Sequence, residues 1–283
     1  MNPSPRRPLR IAVVGHAEHI TLGRVPALPI PGGIAHLEAP RMFAGGGGGI
    51  AFAQLAKSQA ELHFFTCLGA DGAAALVAAQ LEASGASIHA AHRAAPHTRD
   101  VVLITPDGER TIVVVGEPLQ PERADPLPWE LLSGCDAAYF TAQDPAAIAA
   151  ARTARILVVT ARRRQSLIRS GVEADVVLGS SGDPREASGW ADYPVPPKAL
   201  ILTEGPNGGV VITSAGSRRF RAPRMAPSGG AAYGAGDSFA GALTYYLAAG
   251  LQPVDACEAA AHHGAAVLRG LNPWETQLPL PRP

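Results

Sequence analysis

The residues best suited to chemistry lie together in one short segment, Gly234-Ala235-Gly236-Asp237. The two glycines let the backbone turn tightly and approach a ligand closely. Helix-forming residues follow at once, with Phe239, Leu243, Tyr246 and Leu247 on one apolar stripe. A loop of this kind aims unpaired amide N–H groups, at the positive end of the helix dipole, at one point in space. That is a site for an anion. Asp237, in the first turn, is the odd member. A carboxylate there repels a phosphate unless it serves to take a proton from the group attacking that phosphate. The alternative makes Asp237 the N-terminal cap of the helix. On these four residues alone, both readings stay open.

Other motifs add little. There is no GxxxxGK[ST] phosphate loop, GxSxG elbow, HExxH pair or EF-hand loop. The run Gly46-x-Gly48-x-x-Ala51 fits a dinucleotide fingerprint formally, but it does not follow the first strand. His262 and His263 are adjacent, so they cannot share a helix face as a metal pair would.

The elements that must position this segment alternate along the chain. Residues 11–15 form an apolar run ending at glycine, as a buried central strand does. Residues 16–44 read as loops and small strands, followed by the glycines at 45–49 and a helix over 50–58. A strand over 62–68 and a helix over 73–84 come next. The segments 98–105 and 110–115, joined by Pro106-Asp107-Gly108-Glu109, read as a hairpin. Strands follow at 137–141, 156–160, 175–178, 199–203 and 210–213, with a helix at 145–152, and two closing helices at 237–249 and 254–269. Such alternation implies an α/β fold: a mostly parallel central sheet with helices on both faces. The hairpin and the irregular early stretch fall outside that sheet and read as a small β appendage.

Composition sets the wider limits. The 283 residues are 47% hydrophobic and 17% charged, enough apolar content for a sizeable core and too much for a disordered chain. No window approaches the roughly 20 apolar residues of a membrane span. The amino terminus, MNPSPRRPLR, leads straight into IAVVG with no separate apolar segment or cleavage site. Lys+Arg and Asp+Glu both number 24, which argues against an electrostatic nucleic-acid binder. Arg162-Arg163-Arg164 and Arg218-Arg219 are expected to be solvated surface. Cys67, Cys135 and Cys257 form no CxxC and are odd in number, so reduced thiols and a cytoplasmic location are expected.

Residues 232–243 resemble the second signature of the ribokinase-like (PfkB) carbohydrate kinase family, whose usual form is DTTGAGDxFxxG. The first half of the chain agrees. Residues 45–51, then Leu55-Ala56, 64–69, Asp71 and Leu81…Gly85, are similar to the family's Gly-Gly-x-Gly-Ala-Asn block and the stretch after it. Thr98-Arg99 and the hairpin over 101–115 look like its lid strands. Thr203-Glu204-Gly205-Pro206-Asn207-Gly208-Gly209 stands where the family has its TxGxxG nucleotide loop. The resemblance runs from about residue 11 to residue 270.

The resemblance implies a single ribokinase-like domain over 1–283, with a lid from about 16–44 and 96–116. It implies an ATP- and Mg²⁺-dependent kinase acting on a hydroxyl of a sugar-like small molecule, without nucleic-acid or membrane partners, and leaves open a homodimer through the lid. Asp237 matches the catalytic base; Gly234, Ala235 and Gly236 match the anion hole. Thr203, Gly205 and Gly208 match the nucleotide loop, and Gly45 and Gly46 the wall of the substrate pocket. Ser180-x-x-Asp183 aligns with the family's Asn-x-x-Glu, giving Ser180 a cofactor role and Asp183 a metal role, though both equally suit a plain loop. Gln143 stands for a further family Glu in the substrate pocket.

Four departures narrow the substrate. The family's sugar-gripping Asp falls near Ile20, leaving Glu18 as the replacement or as a surface carboxylate. The Asn of the glycine block is Ile50, its frequent Lys is Gly47, and the Asp of the cation site is Ala231. These changes leave two alternatives open: a nucleoside kinase of the same family, or a catalytically weak regulator that binds a nucleotide or metabolite.

Overall fold

A computed structural model describes residues 7–224 and 230–282. Its large sheet has nine strands. They are β1 (Arg10–Val14), β4 (Glu61–Leu68), β5 (Ser87–His92), β8 (Ala137–Phe140), β9 (Leu157–Thr160), β10 (Val176–Ser180), β11 (Ala199–Thr203), β12 (Gly209–Thr213) and β13 (Gly216–Phe220). Their spatial order is β13-β12-β11-β10-β9-β8-β1-β4-β5. All pairings from β11 to β5 are parallel; β12 and β13 close one edge as an antiparallel hairpin.

The apolar run in β1 shows why the sheet is central. Ile11 and Val13 face one layer, against α1 (Gly46–Leu55), α2 (Gly72–Glu82), α5 (Ala235–Ala248) and α6 (Pro253–Val267). Ala12 and Val14 face the other, against α3 (Pro145–Ala151) and α4 (Arg164–Ser170). A strand buried on both sides has no reason to alternate, and this one does not. A seventh helix, α7 (Pro273–Thr276), lies near the carboxyl end.

The small sheet contains β2 (Glu18–Arg24), β3 (Glu38–Gly45), β6 (Arg99–Ile104) and β7 (Arg110–Val115), ordered β3-β2-β6-β7. Its inner face buries Ile20, Leu22, Phe43, Val102 and Ile104 against Ile50, Ala231 and Tyr233 of the body. The outer strand β7 is exposed along its whole length, Val113 and Val114 by 50% each.

Several boundaries differ from the sequence expectation. The stretch over 16–44 holds two full strands where short irregular ones are expected. The glycines at 45–49 do not form a loop before a helix; α1 starts at Gly46 and contains the rest. The reason is steric: a Cβ on Gly48 would lie 2.6 Å from the His16 carbonyl oxygen and 2.9 Å from the Gly15 carbonyl carbon. Only glycine lets this turn of helix press on the end of β1. Strand β5, rich in His and Ala, carries no strong β signal and forms through its parallel pairing with β4. The cysteines agree with expectation. All three are free and buried, and burial pushes the thiols of Cys67 and Cys135 up to about 11. No helix among the described residues is long and apolar enough to cross a membrane.

Two glycine substitutions test the packing. Gly241 of α5 faces α1 so closely that a Cβ would lie 2.5 Å from the Ala51 carbonyl oxygen. Gly241→Ala is expected to lower stability by about 1–3 kcal/mol. Gly72, in the first turn of α2, has nothing within 4 Å of a Cβ position. Gly72→Ala is expected to be neutral or stabilising by up to about 1 kcal/mol. Urea unfolding of both variants checks the pair; equal effects would show that the α1–α5 contact is not tight.

Candidate active site

The site gathers at the carboxyl ends of adjacent parallel strands, where an open α/β sheet leaves a crevice. Gly15 and His16 follow β1, Thr141 follows β8, Arg162 and Arg163 follow β9, and Ser180 and Thr203 end β10 and β11.

The first wall is the glycine block. Gly46 has φ of +77°, a left-handed conformation that favours glycine. Its N–H donates to the Tyr233 hydroxyl at 3.2 Å, and the Gly47 N–H donates to His16 Nε2 at 3.0 Å. A Cβ on Gly47 would lie 3.3 Å from both Asp237 Oδ1 and Thr141 Oγ1. The absence of a side chain there leaves room beside the Asp237 carboxylate. The two glycine segments, far apart in sequence, therefore meet.

The second wall is the start of α5. Gly234 caps it at φ +79° with no side-chain hydrogen bond, and the first amide to find a carbonyl is Ser238, which donates to Gly234. The N–H groups of Ala235, Gly236 and Asp237 precede it and are the free amides of a helix start. Gly236 is exposed, with nothing within 4 Å of a Cβ position. Asp237 is half-buried and makes no capping bond. Burial, followed by the charge of Glu186, pushes its carboxyl up to about 6, with Arg110 and Arg162 opposing. Gln277 braces the two walls: its Nε2 donates to the Ile50 carbonyl at 3.0 Å and to Ser238 Oγ at 2.8 Å.

On the nucleotide side, Ser180 and Thr203 are register partners on β10 and β11. The Ser180 hydroxyl accepts from the Gly182 N–H at 3.2 Å, and Thr203 Oγ1 donates to the Gly179 carbonyl at 3.3 Å. The turn over 205–207 is exposed, and Gly208 has φ of +80°. Asp183 is engaged: Oδ2 pairs with Arg162 at 2.7 Å and Oδ1 accepts from the Arg185 N–H at 2.9 Å. Glu186, three residues further along the same turn, pairs with the same Arg162 at 2.6 Å and is the acid that acts on Asp237. No group of three or more His, Cys, Asp or Glu able to hold a metal occurs among the described residues.

On the opposite side, Glu18 is buried with its Oε2 3.1 Å from the Cβ position of Gly46. Its carboxyl is pushed well above the ordinary range, first by burial and then by Asp100 beside it. Burial also raises Asp100. His16 is driven down to about 3 by burial and by Arg163 and Arg162, so the ring is neutral. Ile20 and Ile50 lie in the apolar core under the small sheet, and Ala231 joins them. Gln143 is exposed, and only its backbone carbonyl has a partner, the Ser166 hydroxyl. Thr141, not Gln143, stands beside Asp237.

The arginine cluster is only in part the solvated surface expected of it, Arg162 being exposed and Arg163 and Arg164 half-buried. Arg162 bridges Asp183 and Glu186, and Arg163 is half-buried against the Thr141 carbonyl. Sequence reading also passed over His16, Asp100, Thr141 and Glu186. Asp100 had a signal: it sits in phase with Val102 and Ile104 on the inward face of β6.

Comparison with known proteins bears on the fold. The model of the pfkB family carbohydrate kinases matches residues 167–276. No curated protein matches the chain in sequence. Solved structures resemble it over nearly its full length. A ribokinase from Thermotoga maritima is 19% identical with a TM-score of 0.76, covering 95% of this chain and 96% of its own. An adenosine kinase from Sinorhizobium meliloti is 17% identical with a TM-score of 0.76, covering 94% and 96%. An Arabidopsis thaliana ribokinase, solved with ribose and ATP, is 17% identical with a TM-score of 0.74, covering 96% of each chain. Residues 167–276 thus match the pfkB carbohydrate kinase model, and the chain as a whole has the ribokinase-like architecture of these solved structures.

Proposed function

We propose that the protein transfers the terminal phosphoryl group of ATP to a hydroxyl of a sugar-like small molecule, with Asp237 as the general base. The observation that carries this reading is the meeting of the Asp237 carboxylate, the free amides of α5 and the side-chain-free floor at Gly47. ATP bound with Mg²⁺ supplies the phosphoryl group and part of the charge neutralisation. The residues fit such a ligand: the unpaired amides of Ala235, Gly236 and Asp237 suit a phosphate, and the open turn at 205–208 suits the rest of the nucleotide. A Mg²⁺ that keeps most of its waters and rides on phosphate oxygens needs few protein carboxylates. Glu186 is better placed than Asp183 to order one of those waters.

In this reading Asp237 removes the acceptor's proton while the acceptor oxygen bonds to phosphorus and the bond to the leaving phosphate oxygen breaks. The amides at 235–237 hold the charge that develops, and Arg110 and Arg162 add positive field. Glu18 and the wall at Gly45 and Gly46 orient the acceptor. A non-catalytic regulator gains nothing from Asp237. Holding that carboxylate half-buried, without a hydrogen-bond partner, costs the fold stability.

Three outcomes are expected. Asp237→Asn lowers kcat by about 10²–10⁴-fold in a phosphate-transfer assay over a sugar panel; equal rates would remove Asp237 from the base role. The same substitution raises stability at neutral pH. The folded-state pKa lies above the ordinary value of 3.8, so the penalty is absent below that value and complete above about 6. Urea unfolding should show Asp237→Asn stabilised by on the order of 1–3 kcal/mol above pH 7, shrinking to nothing near pH 4. Third, kcat/KM of the wild type falls as pH drops through about 6, where the base becomes protonated. A flat profile across that range contradicts the assignment.

A further inference from the structure

Three consecutive arginines have three different fates. Arg162 bridges Asp183 and Glu186, and Arg164 reaches Asp192 at 3.4 Å. Arg163, between them, donates through Nε to the Thr141 carbonyl at 2.8 Å, and its terminal nitrogens have no partner. None of the described carboxylates lies within ion-pair distance of it. Arg163 is half-buried, so its guanidinium loses part of its hydration while its terminal nitrogens stay reachable, a state that favours an anionic partner.

Its position says which anion. The cations acting on Asp237 are Arg110, on β7, and Arg162. Arg163 acts on His16, where Arg162 joins it, and also on Glu18 and Tyr139. Thr141, whose carbonyl it holds, borders the floor at Gly47 next to Asp237. Arg163 therefore belongs to the acceptor half of the pocket. His16 supplies a second unmet donor: Nε2 accepts from the Gly47 N–H, so the ring proton is on Nδ1, a buried atom without a partner. Glu18 does not serve as the counter-ion: it acts on Arg163 only from beyond ion-pair distance, its own ion-pair contact being with His16 at 3.8 Å.

We propose that Arg163 anchors an anionic group on the acceptor, so that the hydroxyl phosphorylated belongs to a sugar acid or a sugar phosphate rather than to a neutral sugar. The planar guanidinium fork suits a carboxylate and a phosphate alike. This rests on the kinase reading for the word phosphorylated, but the anchoring itself is a matter of binding and is tested as such.

The experiment is calorimetry of the full chain, with a non-hydrolysable ATP analogue present, against fructose, gluconate and fructose 6-phosphate. At least one anionic probe should bind at least about tenfold more tightly than fructose, equivalent to about 1.4 kcal/mol. Gluconate and fructose 6-phosphate separate the carboxylate source from the phosphate source. Arg163→Gln should abolish the preference, and Arg163→Lys, which keeps the charge, should retain part of it with an unchanged Tm. Fructose binding as tightly as both anions, no binding of either anion, or a preference that survives Arg163→Gln overturns the proposal. Arg163-dependent anion binding without phosphate transfer under turnover conditions would leave the anchor standing and remove the kinase reading.

Discussion

The close approach of α1 to α5 is the constraint on which the rest of the site depends. Gly241 meets the Ala51 carbonyl, Gly48 meets the backbone after β1, and Gly234 lies against Ile50, each where a Cβ would collide. The glycines at these positions let two helix starts and one strand end occupy a single small volume. Tyr233 and Gln277 then tie the segments by hydrogen bonds to Gly46, Ile50 and Ser238. Local conformational entropy is spent on glycine-rich sequence, and what it secures is a rigid spacing between the Gly47 floor and the Asp237 carboxylate.

Charge is arranged around that spacing with the same economy. Glu186, Arg162 and Arg110 set the field at Asp237, while across the floor Arg163, His16, Glu18 and Asp100 form a second group, linked to the first through Arg162 and Asp237. The two groups differ in outcome because their burial and partners differ. Asp237 is raised only to about 6, leaving it ionised at neutral pH, whereas burial and Asp100 push Glu18 well above the ordinary carboxylate range. Two carboxyls in one pocket are thus raised by different surroundings, one by Glu186 and the other by Asp100 after burial.

Much of this was legible in the residues. The parallel sheet follows from apolar runs alternating with helical periodicity, and the helix after Gly236 from its stripe. The convergence of the two glycine segments was legible only through resemblance, because nothing local to residues 45–49 points across nearly 190 positions to residue 237. The helix start at Gly46 was hidden because glycine has the weakest helical tendency of ordinary residues, and tertiary packing overrides it there. The roles of Arg162, Arg163 and Glu186 were invisible for another reason. A guanidinium or carboxylate in a charged run looks solvated until the strand that ends before it fixes which way the chain turns. Gln143 illustrates the converse, a polar residue at the right strand end whose side chain faces outward while Thr141, two residues earlier, faces in.

The three thiols lie inside the layers that flank the large sheet, at Cys67, Cys135 and Cys257, and burial raises all three. Reaction of a thiol requires both access and the thiolate form, and the native fold withholds both. An alkylating reagent therefore reports on the chain only while it is open. Because the three sulfurs sit on β4, before β8 and within α6, their separate labelling rates read out which layer loosens first.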